Sequence, residues 1–262
     1  MSIPRSLRMA RAESRPASRS PALAQVRASL HAHAPYVGLV ALYVISGAFV
    51  LPAIGREIPY AFTDIYRMPV VLTLLYLGLT LLLGIVVDVL LARRRPSDPA
   101  TWRRLYDRWF GTRRLVGTLI VLCTLPALLD VMLGYRMALT DIQPFAHDAR
   151  FMRWDEWLHL GRHPWELLQP LLGQPGVTVA LDRIYVYGWF AMLWIGTIWQ
   201  TVHGKEPIRL QYLLSFAACW ILLGTVGAIA LSSAGPVYFG RVTGLEDPYV
   251  PLFAYLASVD VE

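Results

Sequence analysis

Long apolar runs alternate with arginine-rich segments along the chain. Five of these runs approach the roughly 20 apolar residues that a helix needs to cross the hydrocarbon core of a bilayer. Lipid offers no hydrogen-bond partner to an open backbone, so each run is predicted to be helical. The expected fold is therefore an all-α, polytopic transmembrane helix bundle. Its predicted spans are Tyr36–Ile54, Val70–Ala92, Leu115–Tyr135, Ile184–Val202 and Tyr212–Ser233.

The segment before the first apolar run has a different composition. Residues 1–35 carry six arginines among many serines, alanines and prolines. Such a segment has too little apolar surface to fold alone, which predicts a disordered basic cytoplasmic arm. A mitochondrial transit peptide has a similar composition, and this alternative stays open. Residues 36–262 are predicted to form one transmembrane domain, because no second domain or internal repeat is evident.

Composition and charge agree with a membrane protein. Apolar residues make up 56% of the chain, which exceeds the share usual in soluble domains. The net charge of +6 comes almost wholly from arginine, with Lys205 as the single lysine. Because the arginines flank the apolar runs, they indicate topology, and we expect no nucleic-acid partner.

The placement of the basic residues predicts the orientation. Segments 1–35, 93–114 and 203–209 hold 16 of the 24 lysines and arginines. Cytoplasmic loops carry such an excess of positive charge. We therefore expect a multi-pass protein of the bacterial inner membrane, with a cytoplasmic N-terminus and an extracytoplasmic C-terminus.

The longest extracytoplasmic loop, residues 136–183, contains the sequence RWDEWLHLGRHPWELLQPLLG. Its pattern predicts a helix lying in the membrane interface, with tryptophan at headgroup depth. Pro164 and Pro170 are expected to break this helix into short pieces. One face would carry Trp154, Trp157, Leu158 and Gly161, and another Asp155, His159 and Arg162.

Several titratable residues have spacings that permit chemistry. His159 and His163 could share a metal ion, yet Pro164 follows at once and no third ligand is evident, so we expect no metal and no cofactor. Asp155 and His159 could form an acid–base pair or an ordinary surface contact.

The sequence also leaves open the roles of three carboxylates near the ends of the predicted spans. Asp88 and Asp130 could be buried and functional, or could reach water or a lipid headgroup. The role of Asp182, at the outer mouth of the fourth span, is not defined by the sequence.

The stretch SSAGPVYFGRVTGL, residues 232–245, follows the last predicted span. Its small residues allow another backbone to approach closely, and the Gly235–Pro236 pair ends the helix. Tyr238 suits the interfacial belt, and the guanidinium of Arg241 would stand at headgroup depth, where its fork matches a phosphate. Two interpretations follow: an ordinary helix end with a snorkelling arginine, or one wall of a lipid-phosphate site.

This stretch resembles the inositolphosphotransferase-type branch of the type 2 phosphatidic acid phosphatase superfamily, which includes inositol phosphorylceramide synthases. The resemblance rests on a Ser-x-Gly-Pro-x-Tyr pattern, matched by Ser233, Gly235, Pro236 and Tyr238, and on the Trp-rich loop before it. It covers roughly residues 115–262. It implies lipid metabolism at the outer leaflet, through a phosphohistidine intermediate that needs no metal. The implied ligands are membrane lipids with a phospholipid or polyprenyl phosphate headgroup.

The histidine motifs of that superfamily are missing from the sequence. Pro-Ser occurs once, as Pro96–Ser97, without a histidine two residues later, and no histidine is followed four residues later by aspartate. We therefore expect an inactive chain with no catalytic residue, which is either truncated before the catalytic motifs or a relative that has lost catalysis. Tyr238 and Arg241 are the predicted substrate-binding residues. The alternative is a non-enzymatic membrane protein, either a small transporter or an assembly partner.

Overall fold

The computed structural model describes residues 21–60, 67–91, 93 and 95–259, and all regular structure among them is helical. Thirteen α-helices, labelled here in chain order, are joined in places by π-helical or 3₁₀ turns. They are α1 Pro21–Ala53, α2 Arg67–Ile85, α3 Pro99–Leu105, α4 Thr112–Met137, α5 Leu139–Ile142, α6 Asp148–Leu158, α7 Pro164–Leu172, α8 Pro175–Arg183, α9 Trp189–His203, α10 Glu206–Ala218, α11 Ala228–Ala230, α12 Phe239–Thr243 and α13 Val250–Ser258.

Each predicted span falls largely within helix. Three helical segments of the described chain are long and apolar enough to cross a membrane: Ala22–Ala53, Thr112–Met137 and Glu206–Ala230. The last runs from α10 through the π-helical Cys219–Gly227 to α11. The other two predicted spans are helical where they are described, and their crossing of the membrane stays a prediction.

The core lies between α1, α4 and α10. Tyr36, Val40 and Leu51 of α1 are buried in one cluster with Leu128 of α4 and Leu213 of α10. Hydroxyl groups add bonds between the same segments. The hydroxyls of Tyr43 and Thr225 share a hydrogen bond of 2.6 Å, the Tyr135 hydroxyl donates to Ser46 Oγ over 3.0 Å, and the Thr124 hydroxyl donates to Tyr36 over 3.1 Å. Packing and hydroxyl pairs are the interactions that hold helices together in lipid.

The predicted disordered arm differs from the structure in its second half. Residues 1–20 lie outside the described part of the chain, but 21–35 form the start of α1. Ser29 and His33 are fully buried there, and the Ser29 hydroxyl donates to the carbonyl of Arg113 over 3.2 Å. This part is helical because it packs against the start of α4, a contact that composition does not reveal.

Arg209 falls in the predicted cytoplasmic segment 203–209, but it lies in α10 and is 1% exposed. Its guanidinium donates to the carbonyl of Thr201 over 3.2 Å. It also fills the space above Gly117, where a Cβ atom would come within 2.6 Å of the Arg209 Cζ. A glycine at this position of α4 is what lets the guanidinium enter the helix interface.

The long loop forms helices, as predicted, with different breaks. Pro164 begins α7 at its first position, where a proline needs no hydrogen-bond partner for its nitrogen. Pro170 was expected to break the helix, but it lies inside α7, which ends two residues later. The actual break is at Leu160 and Gly161, which have φ of 58° and 83°. Gly161 is therefore beyond α6 and not on the predicted apolar face, while Trp154, Trp157 and Leu158 of α6 are exposed.

The two glycines of α1 give a matched test of this packing. A Cβ at Gly47 would come within 2.5 Å of Cγ1 of Val131, a stiff and buried side chain of α4, whereas a Cβ at Gly38 meets nothing within 4 Å. We expect Gly47→Ala to destabilise the bundle by about 1–3 kcal/mol through overpacking. Gly38→Ala is expected to be neutral or stabilising by up to about 1 kcal/mol, because alanine is the better helix former. Thermal unfolding of the purified variants in detergent measures both, and equal midpoints would contradict the packing of α1 on α4.

Candidate functional site

An open cleft of about 460 Å³ lies at the end of the bundle where α4 finishes. This volume is in the range of small-molecule sites. We call this the loop end, because residues 54–60, 138–148 and 231–249 connect the helices there. Both predicted site residues, Tyr238 and Arg241, line the cleft. The other lining residues are Arg136, Leu139, Thr140, Phe145, Ser233, Ala234 and Val242.

Two arginines give the cleft its charge. Arg136 lies in the last turn of α4 and Arg241 in α12, and both side chains are exposed. Among the described residues, neither guanidinium forms an ion pair. The Cζ atom of Arg241 lies 5.8 Å from the centre of the Tyr238 ring, a cation–π distance that orients the guanidinium. The cleft thus presents two positive charges that no described carboxylate neutralises, so it suits an anion.

Arg136 was not singled out from the sequence, although it belongs to the same cleft as Arg241. It lies 105 positions earlier in the chain, and only the folding of α4 towards residues 233–242 brings the two arginines together. Its one local signal was its position at the end of a span, which also fits a topology anchor.

A buried carboxylate fixes the turn that forms one wall of the cleft. Asp148, at the start of α6, is 5% exposed and accepts three hydrogen bonds from residues 233–235. The Ser233 hydroxyl donates over 2.6 Å, the Gly235 amide over 2.9 Å and the Ala234 amide over 3.2 Å. Gly235 has a φ of 82°, a conformation that favours glycine. Hydrogen bonds donated to a carboxylate are among the stronger ones, so Asp148 holds this turn in one shape.

Backbone hydrogen bonds continue the same connection. The carbonyl of Ser232 accepts from the amides of Ala146 and His147, each over 3.2 Å. The Ser232 hydroxyl donates to the carbonyl of Gln143 over 3.0 Å. Residues 143–148 and 232–235 are therefore joined into one unit, which carries Ser233, Ala234 and Phe145 of the cleft.

The wall that carries Arg241 is held by aromatic contacts behind it. Phe239 is 2% exposed and meets the ring of Tyr249 edge to face, with 5.7 Å between centres. Tyr249 in turn contacts the imidazole of His163 at 5.6 Å. Burial raises the pKa of Tyr249, and the nearby carboxylate of Asp155 raises it further. The phenol is therefore protonated and uncharged at neutral pH. Arg241 thus projects from a short helix whose opposite side is anchored in the loop region.

The histidine hypotheses have different outcomes in the structure. His159 Nδ1 lies 2.7 Å from the backbone carbonyl of Asp155, which is a helix-end contact and not the carboxylate contact of an acid–base pair. His163 is 8% exposed and its Nε2 lies 3.4 Å from Glu156 Oε1. Across the described residues, no group of three or more His, Cys, Asp or Glu is arranged to hold a metal ion.

Asp130 and Asp182, two of the carboxylates that the sequence left open, are not among the described residues that line the cleft. Asp130 is 2% exposed inside α4, so it does not reach water or a headgroup at the helix end. Asp182 lies in α8 and is half-buried, next to Arg183, whose Cζ is 5.9 Å from the Tyr187 ring. The side chain of Asp88 lies outside the described residues.

Comparisons with protein families, with curated proteins and with solved structures find no match to this chain. The resemblance to the phosphatidic acid phosphatase superfamily therefore rests on the sequence pattern alone.

Removing the Asp148 carboxylate tests the role of the turn. Asp148→Ala leaves the Ala234 amide and the Ser233 hydroxyl without their acceptor, and leaves the Gly235 amide with its 3.3 Å bond to Ser233 Oγ. We expect this loss to cost about 2–4 kcal/mol. Hydrogen–deuterium exchange of residues 231–249 should rise in this variant. Asp141→Ala is the control, because the Asp141 carboxylate is exposed and pairs with Arg56 over 2.6 Å, away from residues 233–235. An exchange pattern in Asp148→Ala that equals the control would contradict the anchoring.

Proposed function

We propose that this protein is an integral membrane protein that binds the phosphate-bearing headgroup of a lipid in the cleft at its loop end. The observation that carries the proposal is the pair of arginines, Arg136 and Arg241, on opposite elements of one cleft of about 460 Å³. Guanidinium groups bind phosphate oxygens through two parallel hydrogen bonds, so two of them can hold a phosphate from two sides.

The surroundings of the arginines support a lipid headgroup. Thr140 supplies a hydroxyl, and Tyr238 supplies an aromatic ring with a polar tip, the type of side chain enriched at the membrane–water interface. Leu139, Phe145 and Val242 give the same cleft apolar contacts. A site at the end of spanning helices, with phosphate-binding groups and apolar lining together, matches the boundary between headgroup and acyl chain.

The distribution of arginine assigns the cleft to a leaflet within this proposal. With the N-terminus in the cytoplasm, the end of α4 faces the outside, because α1 and α4 then run in the same direction past an intervening α2. We therefore propose binding at the outer leaflet of a bacterial inner membrane. The resemblance to the inositolphosphotransferase branch agrees with this side and with this class of ligand.

The chemistry of the cleft favours binding over hydrolysis. The superfamily that the chain resembles attacks phosphorus with a histidine. No histidine is among the described residues that line the cleft, and the sequence lacks both histidine motifs. We accordingly propose that this chain binds a lipid phosphate without cleaving it.

Substitutions of the two arginines test the proposal. The purified protein in nanodiscs is titrated with dioleoyl phosphatidic acid, and with dioleoylglycerol as the same lipid without phosphate. We expect Arg136→Ala and Arg241→Ala each to weaken phosphatidic acid binding by about 10- to 100-fold, the loss of one charge-assisted contact. Arg241→Lys should recover part of it, because lysine keeps the charge and loses the fork.

The control for these variants is Arg153→Ala, which removes an exposed arginine of α6 that does not line the cleft. Its affinity should equal that of the wild type. Equal losses in all three alanine variants would indicate attraction by net charge alone, and unchanged affinity in Arg136→Ala and Arg241→Ala would refute the site. Release of phosphate by the purified wild type, abolished by Arg241→Ala, would refute the absence of hydrolysis.

A further inference from the structure

We infer that the ligand is a long-chain lipid whose hydrocarbon chain lies in an apolar groove beside the cleft, and not a water-soluble phosphate. This inference rests on the function proposed above. It concerns the part of the ligand that the arginines do not recognise, because a guanidinium binds a phosphate equally well with or without acyl chains.

The groove lies between α1 and the π-helical segment Cys219–Gly227, with a volume of about 370 Å³. Its lining comes almost entirely from the three segments that are long and apolar enough to cross a membrane. Leu42 and Val226, on opposite sides of the groove, are 68% and 55% exposed. The groove is therefore open sideways, towards the lipid chains that surround such a bundle.

The lining offers a ligand apolar contacts alone. Its four hydroxyl groups are already used: Tyr43 bonds to Thr225 over 2.6 Å, and Tyr135 donates to Ser46 over 3.0 Å. A ligand with polar groups would lose hydrogen bonds to water on entering and would gain none here, which is costly. A hydrocarbon chain loses nothing and keeps its dispersion contacts.

One segment of the chain contributes to both the groove and the cleft. Tyr135 lines the groove and the next residue, Arg136, lines the cleft. A few residues on, Thr140 lines the cleft and Ile142 lines the groove. Consecutive residues of a helix point about 100° apart, at 3.6 residues per turn, so the two sites open on neighbouring sides of the same helix end. A lipid with its phosphate at Arg136 thus has the groove within reach of its chain.

Filling the groove from its exposed rim tests this assignment. Val226→Trp places a large ring over the groove, and Leu42→Trp does so from the opposite wall. Leu223→Trp is the control, because Leu223 is 72% exposed on the same π-helical segment and does not line the groove. Folding of each variant is checked by its elution and thermal midpoint in detergent. The probes are dioleoyl phosphatidic acid and glycerol 3-phosphate, which share the phosphate and differ in the chains.

We expect Val226→Trp and Leu42→Trp to weaken phosphatidic acid binding by about tenfold or more, the effect of losing two or more methylene contacts. The affinity for glycerol 3-phosphate, obtained from competition, should be unchanged in these variants. Leu223→Trp should match the wild type in its affinity for both probes. If both groove variants keep wild-type affinity while Arg136→Ala and Arg241→Ala lose it, the groove assignment is wrong and the headgroup site stands. If glycerol 3-phosphate displaces phosphatidic acid mole for mole from the wild type, the chain contributes nothing and the inference is overturned.

Discussion

The carboxylate of Asp148 is the interaction on which the loop end depends. It joins the start of α6 to the turn after α11 through three hydrogen bonds, across 85 to 87 positions of the sequence. The turn needs such a partner because it follows a segment long and apolar enough to cross a membrane and contains amides that no helix can satisfy. Once it is fixed, Ser233 and Ala234 form one side of the cleft, and the short helix that carries Arg241 follows from a defined starting point.

The arginines of this chain differ in what surrounds them, and the cleft differs from a topology anchor in bringing two of them together in one concave site. Arg56 pairs with Asp141, and Arg113 pairs with Glu206 over 3.1 Å. Arg209 is buried and bonds to a backbone carbonyl. Arg136 and Arg241 have no such compensation among the described residues, and they share a cleft with hydroxyl and aromatic groups. A positive charge that the protein itself leaves unneutralised, in a concave site, favours an anionic ligand.

The sequence predicted the helical class and the approximate bounds of the long helices, because lipid solvation permits little else in apolar runs of this length. It also singled out Tyr238 and Arg241, which follow a helix-ending Gly-Pro pair within a few residues and line one cleft in the structure. Their role in substrate binding stays a prediction. The sequence could not predict Arg136 or Asp148, because their contacts join distant parts of the chain and leave no local pattern. The helical state of residues 21–35 was missed for the same reason: their stability comes from the burial of Ser29 and His33 against other helices.

The contact between Arg209 and Gly117 has a consequence for the end of the bundle opposite the cleft. Arg136 follows Gly117 by nineteen positions of α4, about 28 Å at 1.5 Å per residue, which is close to the thickness of a bilayer core. At this far end, the guanidinium of Arg209 occupies the space that a glycine leaves free on α4. Any side chain at position 117 would have to displace that guanidinium, which is the flexible end of a residue on α10. The burial of this positive charge thus depends on the absence of a single methyl group in the facing helix.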